Sequence, residues 1–382
     1  MTDLKNAIKP KFRAQSRQFF LLLALTILTM SLGLAMVASS SAVDSFKQSG
    51  DAGALFYRQL IYAGIGLVGL IIASNLPMVF YRRFAAVLIL STLGLQVATV
   101  LFGADINGNR NWLSLGPISI QPSEFLKLAM VIAFAYWLSQ LSDDPIRNRQ
   151  IWFRVLAYSA AALVLVAVMG RDLGTGVVMA VMLGFLFLFA GMPWSWWLSI
   201  ALGGALLAFA LIQASPSRRI RFDAWLNPDS ADPLGVRWQF EHGTWALASG
   251  GIFGTGLGRS KLKWSWIPEV ENDFIFAIIG EELGLVGAMF VILLFFSIGL
   301  TMFHIARNQT NPFNRYLVIG VMLWIVMQAF INISVVLGLL PVLGVPLPLI
   351  SAGGSSLIAS LGAIGLVLAV ERDRVLHLGR RS

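Results

Sequence analysis

The chain has 382 residues, of which 57% are hydrophobic and only 12% are charged. A soluble core cannot bury so much apolar surface, so this composition predicts an all-α polytopic membrane protein. The absence of cysteine excludes disulfides, a thiol nucleophile and thiolate metal sites. The three histidines are far apart in the sequence, which argues against a histidine metal centre. Much of the net charge of +9 lies at the predicted membrane edges and does not indicate nucleic-acid binding.

Apolar segments long enough to cross a bilayer recur along the whole chain. The sequence predicts about ten transmembrane helices, at residues 18–40, 58–76, 84–103, 121–141, 151–169, 173–191, 194–213, 273–303, 315–339 and 355–371. The first apolar run is too long for a signal peptide, so we expect it to remain as the first span. Lys and Arg gather in the arm 1–17, in short alternate loops and in the tail 372–382, which predicts that both termini are cytoplasmic. We therefore expect a single transmembrane domain over residues 1–382.

The segment 214–272, between helices 7 and 8, is predicted to be a large extracytoplasmic loop. Its many basic residues are nearly balanced by acidic ones, so it is either a solvated, salt-bridged loop or a basic surface facing an anionic lipid head group. Residues 249–258 are rich in glycine, and their backbone amides could approach an anion. The strand and motif context of a nucleotide-binding loop is absent, and glycine also serves close helix packing.

Asp273 stands where this loop re-enters an apolar helix. A carboxylate at the rim of a membrane span is costly unless it is paired or lines a wet cavity, so it is a functional candidate. The alternative is an aspartate that caps the helix N-terminus. Glu281 and Glu282 follow about two helical turns deeper. We interpret them as structural or cavity-lining groups.

Two further charged clusters lie at the predicted outer rim. Glu124 and Lys127 are three residues apart and share one face of the fourth helix. They form either a structural ion pair or, because Lys127 lies inside the span, a contact for a pyrophosphate. Arg171 and Asp172 either neutralise each other or take part in chemistry directly.

After helix 9, residues 338–354 contain three prolines and several glycines. Non-helical backbone at membrane depth is tolerated only where protein or a water-filled cavity surrounds it. The sequence therefore predicts a re-entrant segment that lines a cavity. Ser355 and Ser356, which follow it, would present hydroxyl groups near the outer interface.

Five motifs, in this order and spacing, resemble the SEDS family (shape, elongation, division and sporulation). They are Asn-Gly-x-Arg with Gln-Pro-Ser-Glu-Phe-x-Lys at 107–127, Asp-Leu-Gly-Thr at 172–175, Asp-Pro-Leu-Gly at 232–235, Asn-Asp-Phe-Ile-Phe-Ala at 272–277 and Pro-Leu-Ile-Ser-x-Gly-Gly-Ser-Ser at 348–356. The segments around Gly256 and Glu281 are closer to the division branch of the family than to its elongation branch. The chain departs from the family pattern at Asn111, Asn272 and Ala352, which bears on substrate contacts at those positions.

The resemblance implies a peptidoglycan glycosyltransferase that polymerises lipid II beside a class B penicillin-binding protein and other divisome membrane proteins. It would act in the bacterial cytoplasmic (inner) membrane, at the division septum. Asp273 would be the general base. Groups that would contact the substrate are Arg110, Lys127, Lys263, Arg237, Gln239, Ser355 and Ser356, and supporting groups are Glu124, Arg171, Asp172, Glu281 and Glu282. A divalent cation (Mg or Mn) near Asp273 is compatible with this chemistry, although no ligand cluster in the sequence demands one.

Two other functions remain open from the sequence. Polar residues inside the membrane and a broken ninth helix also fit a lipid II flippase. A flippase should place its essential charges near the midplane, whereas the charges predicted here lie at the outer rim. The second alternative, a non-catalytic division scaffold, would leave these rim charges without a function.

Overall fold

The computed structural model describes residues 15–106, 109–115, 118–227, 236–261 and 270–381. Lys263 and the motif at 232–235 lie outside these residues, as do the side chains of Arg237 and Gln239. The helices are α1 (Arg17–Ser49), α2 (Ala54–Asn75), α3 (Met78–Phe102), α4 (Pro122–Leu138), α5 (Pro145–Leu163), α6 (Leu173–Phe189), α7 (Trp194–Gln213), α8 (Pro216–Leu226), α9 (Val236–Ser249), α10 (Ile275–Arg307), α11 (Pro312–Val336) and α12 (Gly354–Arg381). A π-helical turn, Val164–Met169, continues α5.

Each of the ten predicted spans coincides with a helix of the structure. Within the described residues, eight helices are long and apolar enough to cross a membrane. The other two predicted spans are α4 and α6, each of 17 residues. The helical, multi-pass architecture that the composition predicted is therefore confirmed.

The connections contain more regular structure than the sequence predicted. The connection between α3 and α4 is a small antiparallel sheet of β1 (Ala104–Ile106), β2 (Asn109–Leu115) and β3 (Ile118–Ile120) in the order β1-β2-β3. An otherwise helical fold thus carries a small sheet between α3 and α4, which hydropathy alone does not reveal. The predicted loop 214–272 contains the two helices α8 and α9.

The centre of the bundle is formed by α4, α11 and α12. Phe134, Trp324 and Ile364, one from each helix, are completely buried. Helix α7, by contrast, has no buried residue and is the most peripheral span. Helices α2 and α12 approach closely, since a Cβ atom at Gly365 would lie 2.6 Å from the Leu70 carbonyl oxygen. Glycine at such a contact permits the close backbone packing common between membrane helices.

Two irregular segments interrupt the helical bundle. Helix α10 is broken at Gly284, whose φ of 69° and ψ of −167° are not helical. Residues 337–353, between α11 and α12, form neither helix nor strand. Several of their side chains are nonetheless buried, among them Leu347 at 1% and Ile350 at 1% exposure. Protein therefore surrounds this non-helical backbone, as membrane depth requires.

Candidate active site

Asp273 lies in the turn that leads into α10. The helix begins at Ile275 and Phe274 occupies its N-cap position. Asp273 is therefore not the N-cap residue, and helix capping does not account for its presence. The sequence prediction placed the start of this helix two residues too early.

Three consecutive backbone carbonyls hold this turn in place. The Ala352 amide donates to Glu271 O at 2.9 Å, and Ser351 Oγ donates to Asn272 O at 2.5 Å. The third carbonyl, that of Asp273 itself, accepts from Asn332 Nδ2 at 2.8 Å. Hydrogen bonds from two separate elements thus fix the backbone from which the Asp273 carboxylate projects.

The Asp273 carboxylate faces the segment between α11 and α12. A Cβ atom built on Gly344 would lie 3.4 Å from Asp273 Oδ2. Gly344 has a φ of 71°, a conformation that residues with side chains rarely adopt. Glycine therefore leaves the space beside the carboxylate free of a side chain.

Two buried amides on α11 connect this segment to the rest of the core. Asn332 Nδ2 also donates to Val345 O at 2.7 Å, and Gln328 Nε2 donates to Pro346 O at 3.0 Å. The two amides are four residues apart and so share one face of the helix. Sequence reasoning missed both, although polar residues at this spacing in an apolar span are a usable signal of an interhelical contact.

Glu124 and Lys127 form an ion pair inside the protein. Lys127 Nζ lies 2.7 Å from Glu124 Oε1 and 2.8 Å from Gln328 Oε1, and the Lys127 side chain is 1% exposed. Of the two alternatives left open by the sequence, this geometry favours the structural pair. A direct contact between Lys127 and substrate stays a prediction that would require the ammonium to leave its partners.

The serines at the start of α12 lie against the start of α4. Ser355 Oγ accepts from the Gln121 amide at 3.0 Å. Ser356 Oγ and Glu124 Oε2 are buried polar atoms that have no hydrogen-bond partner among the described residues. Such atoms are costly and mark a place where a ligand or water would be stabilised. The substrate-binding role of both serines stays a prediction.

The charged pair at 171–172 does not neutralise itself. Asp172 caps α6, with Oδ1 accepting from the Thr175 amide at 2.9 Å, and burial raises the pKa of its carboxyl group. Arg171 instead lies 3.9 Å from Asp105, and Arg110 lies 3.7 Å from the same carboxylate. The structure therefore brings Arg110 and Arg171 together, on either side of one acidic side chain.

Glu281 and Glu282 organise the glycine-rich segment rather than face an open cavity. Glu281 Oε1 accepts from the Lys261 amide at 2.9 Å, and Glu282 accepts from Ser39 Oγ at 2.7 Å. The carbonyls of both glutamates accept amides of the segment, those of Thr255 and Gly256, at 2.9 and 3.0 Å. These amides are therefore engaged with α10 and not available to an anion. This outcome disfavours the anion-binding alternative for residues 249–258 and agrees with close packing.

Comparison with known proteins places this architecture in a family. A sequence model of the family that contains FtsW, RodA and SpoVE, described as a cell cycle protein, matches residues 19–375. The chain belongs to this family. The resemblance to SEDS proteins seen in the motifs is thereby confirmed.

Members of the SEDS family from distant bacteria align over nearly the whole chain. A protein of Mycobacterium bovis named "probable peptidoglycan glycosyltransferase FtsW" is 39% identical over 357 residues, which are 93% of this chain and 68% of the relative. The stage V sporulation protein E of Bacillus subtilis is 36% identical over 354 residues, 92% of this chain and 96% of the relative. The division-type character predicted from the motifs agrees with these names.

A solved SEDS-type structure has the same fold. The matching chain comes from a structure described with the words "Structural coordination of polymerization and crosslinking by a peptidoglycan synthase complex". The match has a TM-score of 0.76 and 28% sequence identity, and it covers 95% of this chain and 99% of the other. The helix arrangement around Asp273 is therefore a SEDS architecture.

Proposed function

We propose that the protein is a peptidoglycan glycosyltransferase of the division type, which polymerises lipid II into glycan strands. Two observations carry this proposal. A relative of the chain is named a probable peptidoglycan glycosyltransferase, and the structure holds Asp273 in a fixed position. Its backbone is fixed by α11 and by the re-entrant segment, and Gly344 places no side chain beside its carboxylate. A carboxylate held in a fixed position is what a general base requires.

The reaction joins the 4-hydroxyl of an acceptor sugar to the anomeric carbon of a donor sugar on an undecaprenyl pyrophosphate. Asp273 takes the hydroxyl proton as the oxygen attacks with inversion, and the bond to the pyrophosphate oxygen breaks. Arg110 at the outer rim and Lys263 stabilise the charge that develops on the leaving group. Glu124 holds Lys127 as part of the protein wall behind the site.

The enzyme has ten transmembrane helices with both termini in the cytoplasm, which places Asp273 at the outer face of the bacterial inner membrane. Basic residues at the predicted cytoplasmic edges support this orientation. A class B penicillin-binding protein is its transpeptidase partner, since a solved relative comes from a peptidoglycan synthase complex. This partner would place the enzyme in the divisome at the septum.

A divalent cation, Mg²⁺ or Mn²⁺, near Asp273 is part of the proposal; Asp273 would help to hold it, and it would stabilise the negative charge of the leaving pyrophosphate. Within the described part of the chain, no group of three or more His, Asp or Glu side chains could hold a metal ion. Substrate phosphates would therefore supply part of the coordination shell, as is usual for Mg²⁺. Loss of polymerisation in chelator, restored by Mg²⁺ or Mn²⁺, would support the cation; activity unchanged in chelator would exclude it.

The decisive experiment follows fluorescent lipid II into glycan chains on a gel, using the full chain purified with its class B partner. Asp273→Asn removes the base while keeping the size of the side chain, and we expect polymerisation to fall by roughly 10²- to 10⁴-fold. Asp223→Asn is the matched control, because Asp223 is an exposed aspartate of the same extracytoplasmic loop, paired with Arg219. The control should polymerise at the wild-type rate.

The other outcomes distinguish the alternatives. Normal polymerisation by a folded Asp273→Asn variant would show that Asp273 is not the base. Absence of polymer with the wild-type complex, under conditions where a known polymerase is active, would favour a flippase or a scaffold. Transport of labelled lipid II in vesicles would then separate these two.

A further inference from the structure

An arginine-lined cavity lies at the extracytoplasmic side of the bundle, where α6 and α8 begin and α7 ends. Its volume is about 470 Å³, which is within the range of small-molecule sites. Arg171, Arg218 and Arg221 all line it. Three guanidinium groups around one space repel one another, and an anion in that space would relieve this repulsion.

These positive charges outnumber the carboxylates: among the described residues that line the cavity, Asp172 is the one acidic residue against three arginines. Among the described residues, neither Arg218 nor Arg221 forms a salt bridge, and Arg171 reaches only Asp105, at 3.9 Å. Burial lowers the pKa of Arg218; the pull of Asp172 opposes this, and the like charges of Arg171 and Arg221 add to it. Arg219, by contrast, is not among the residues that line the cavity and pairs with Asp223 at 3.6 Å. The cavity therefore has an excess of positive charge that its own walls do not neutralise.

The backbone holds Arg218 in position. Arg218 Nη2 donates to Arg171 O at 2.7 Å, and Nη1 donates to Leu211 O at 3.4 Å. Arg171 has a φ of 59°, which is unusual for a residue with a side chain. Ser215, the N-cap residue of α8, makes no side-chain capping hydrogen bond, so the first-turn amides beside the cavity add to its positive potential. The site is built before a ligand arrives.

The cavity is accessible to a lipid and adjoins the candidate base. Leu211 and Ile212 line it and belong to α7, the helix without buried residues, so its rim meets the bilayer. Residues 341–343 also line it, and they directly precede Gly344, the glycine beside Asp273 Oδ2. One short stretch of backbone therefore separates the arginine cavity from the Asp273 carboxylate.

We infer that this cavity binds the diphosphate of a polyprenyl-linked substrate through Arg218 and Arg221, which act in addition to the Arg110 and Lys263 of the proposed function. The inference rests on the proposed function, because that reaction is what brings a lipid diphosphate to Asp273. Guanidinium groups form paired, charge-assisted hydrogen bonds with phosphate oxygens. A phospholipid head group or free pyrophosphate shares this chemistry, and the experiment below separates these sources.

The test measures binding to the full chain in phosphatidylcholine nanodiscs. Undecaprenyl diphosphate, phosphatidylglycerol and inorganic pyrophosphate are titrated separately against wild type, Arg221→Gln and Arg219→Gln. We expect undecaprenyl diphosphate to bind Arg221→Gln at least tenfold more weakly, and Arg219→Gln as tightly as wild type. Because Arg218 also supports two backbone carbonyls, Arg221→Gln, which leaves those bonds intact, is the decisive variant. Arg218→Lys, which retains the charge, is the second variant.

Two results would overturn the inference. One is an equal affinity of wild type and Arg221→Gln for undecaprenyl diphosphate. The other is phosphatidylglycerol binding as tightly and with the same dependence on Arg221, which would make the cavity a phospholipid site.

Polymerisation assays distinguish a failure of this inference from a failure of the proposed function. Asp273→Asn should lose polymerisation and still bind undecaprenyl diphosphate, whereas Arg221→Gln should raise KM for lipid II. If the wild type polymerises and Arg221→Gln has an unchanged KM, the function stands and the inference fails. If the wild type does not polymerise and binding still depends on Arg221, the diphosphate site stands and the function fails.

Discussion

Lys127 Nζ lies 2.7 Å from Glu124 Oε1, and the two side chains are 1% and 2% exposed. The same ammonium contacts Gln328 Oε1 at 2.8 Å and lies 4.9 Å from the centre of the Trp324 ring. Gln328 in turn holds the carbonyl of Pro346 in the segment beside Asp273. Through Gln328, the ion pair therefore supports the segment between α11 and α12 that lies beside Asp273. We expect loss of the ion pair to reduce both stability and activity.

Replacing Lys127 by Met should strongly destabilise the protein. The change leaves the Glu124 carboxylate buried without its countercharge, at a cost of roughly 3–5 kcal/mol. Thermal unfolding in nanodiscs should show a lower midpoint for Lys127→Met, and the double variant with Glu124→Gln should recover most of the loss. A single variant as stable as wild type would contradict the buried pair.

Asn332→Ala should impair catalysis. The Asn332 amide joins Asp273 O and Val345 O, so its loss frees the backbone of the candidate base and costs about 1–3 kcal/mol of hydrogen bonding. We expect a lower kcat for polymerisation with little change in KM for lipid II.

Gln96→Leu is the control for Asn332→Ala. Gln96 is also a buried amide in a span, but neither its nitrogen nor its oxygen has a hydrogen-bond partner in the described structure. It should therefore keep full activity. An equal effect of the two variants on kcat would argue against a specific role for Asn332.

Gly250→Ala should disrupt the contact between the glycine-rich segment and α10. A Cβ atom at Gly250 would collide with the Gly280 carbonyl oxygen, whereas a Cβ atom at Gly204 on α7 would meet nothing within 4 Å. Relief of such a backbone clash costs typically 1–3 kcal/mol, so we expect a clear drop in the unfolding midpoint for Gly250→Ala. Gly204→Ala should be neutral or slightly stabilising because alanine favours helix. Comparable midpoints for both variants would show that the contact is loose.

Ser39→Ala should weaken the attachment of α1 to the broken part of α10. Ser39 Oγ donates to Glu282 at 2.7 Å, and a hydrogen bond to a charged group is worth about 1.5–3 kcal/mol. Ser41 Oγ donates only to Val37 O within its own helix, so Ser41→Ala is the control and should change the unfolding midpoint less. The prediction fails if the two alanine variants unfold at the same temperature.

Much of the helical framework could be predicted from the sequence, because the hydropathy of a span is a local property. The Glu124–Lys127 pair was also predictable, since residues three apart on a helix share a face. Asp273 stood out because charge is rare at a membrane rim. Each of these inferences needs only neighbouring residues.

Tertiary structure alone decided which partners those residues have. Gln328 lies 201 residues from Lys127, and Asn332 lies 59 from Asp273, so no local pattern joins them. The arginine cavity likewise assembles four separate stretches of chain. In a bilayer, lipid-facing and protein-facing helix surfaces are both apolar, and hydropathy does not tell them apart. The packing of the helices therefore determined what the sequence left open: which polar groups meet, which are buried, and which remain for a substrate.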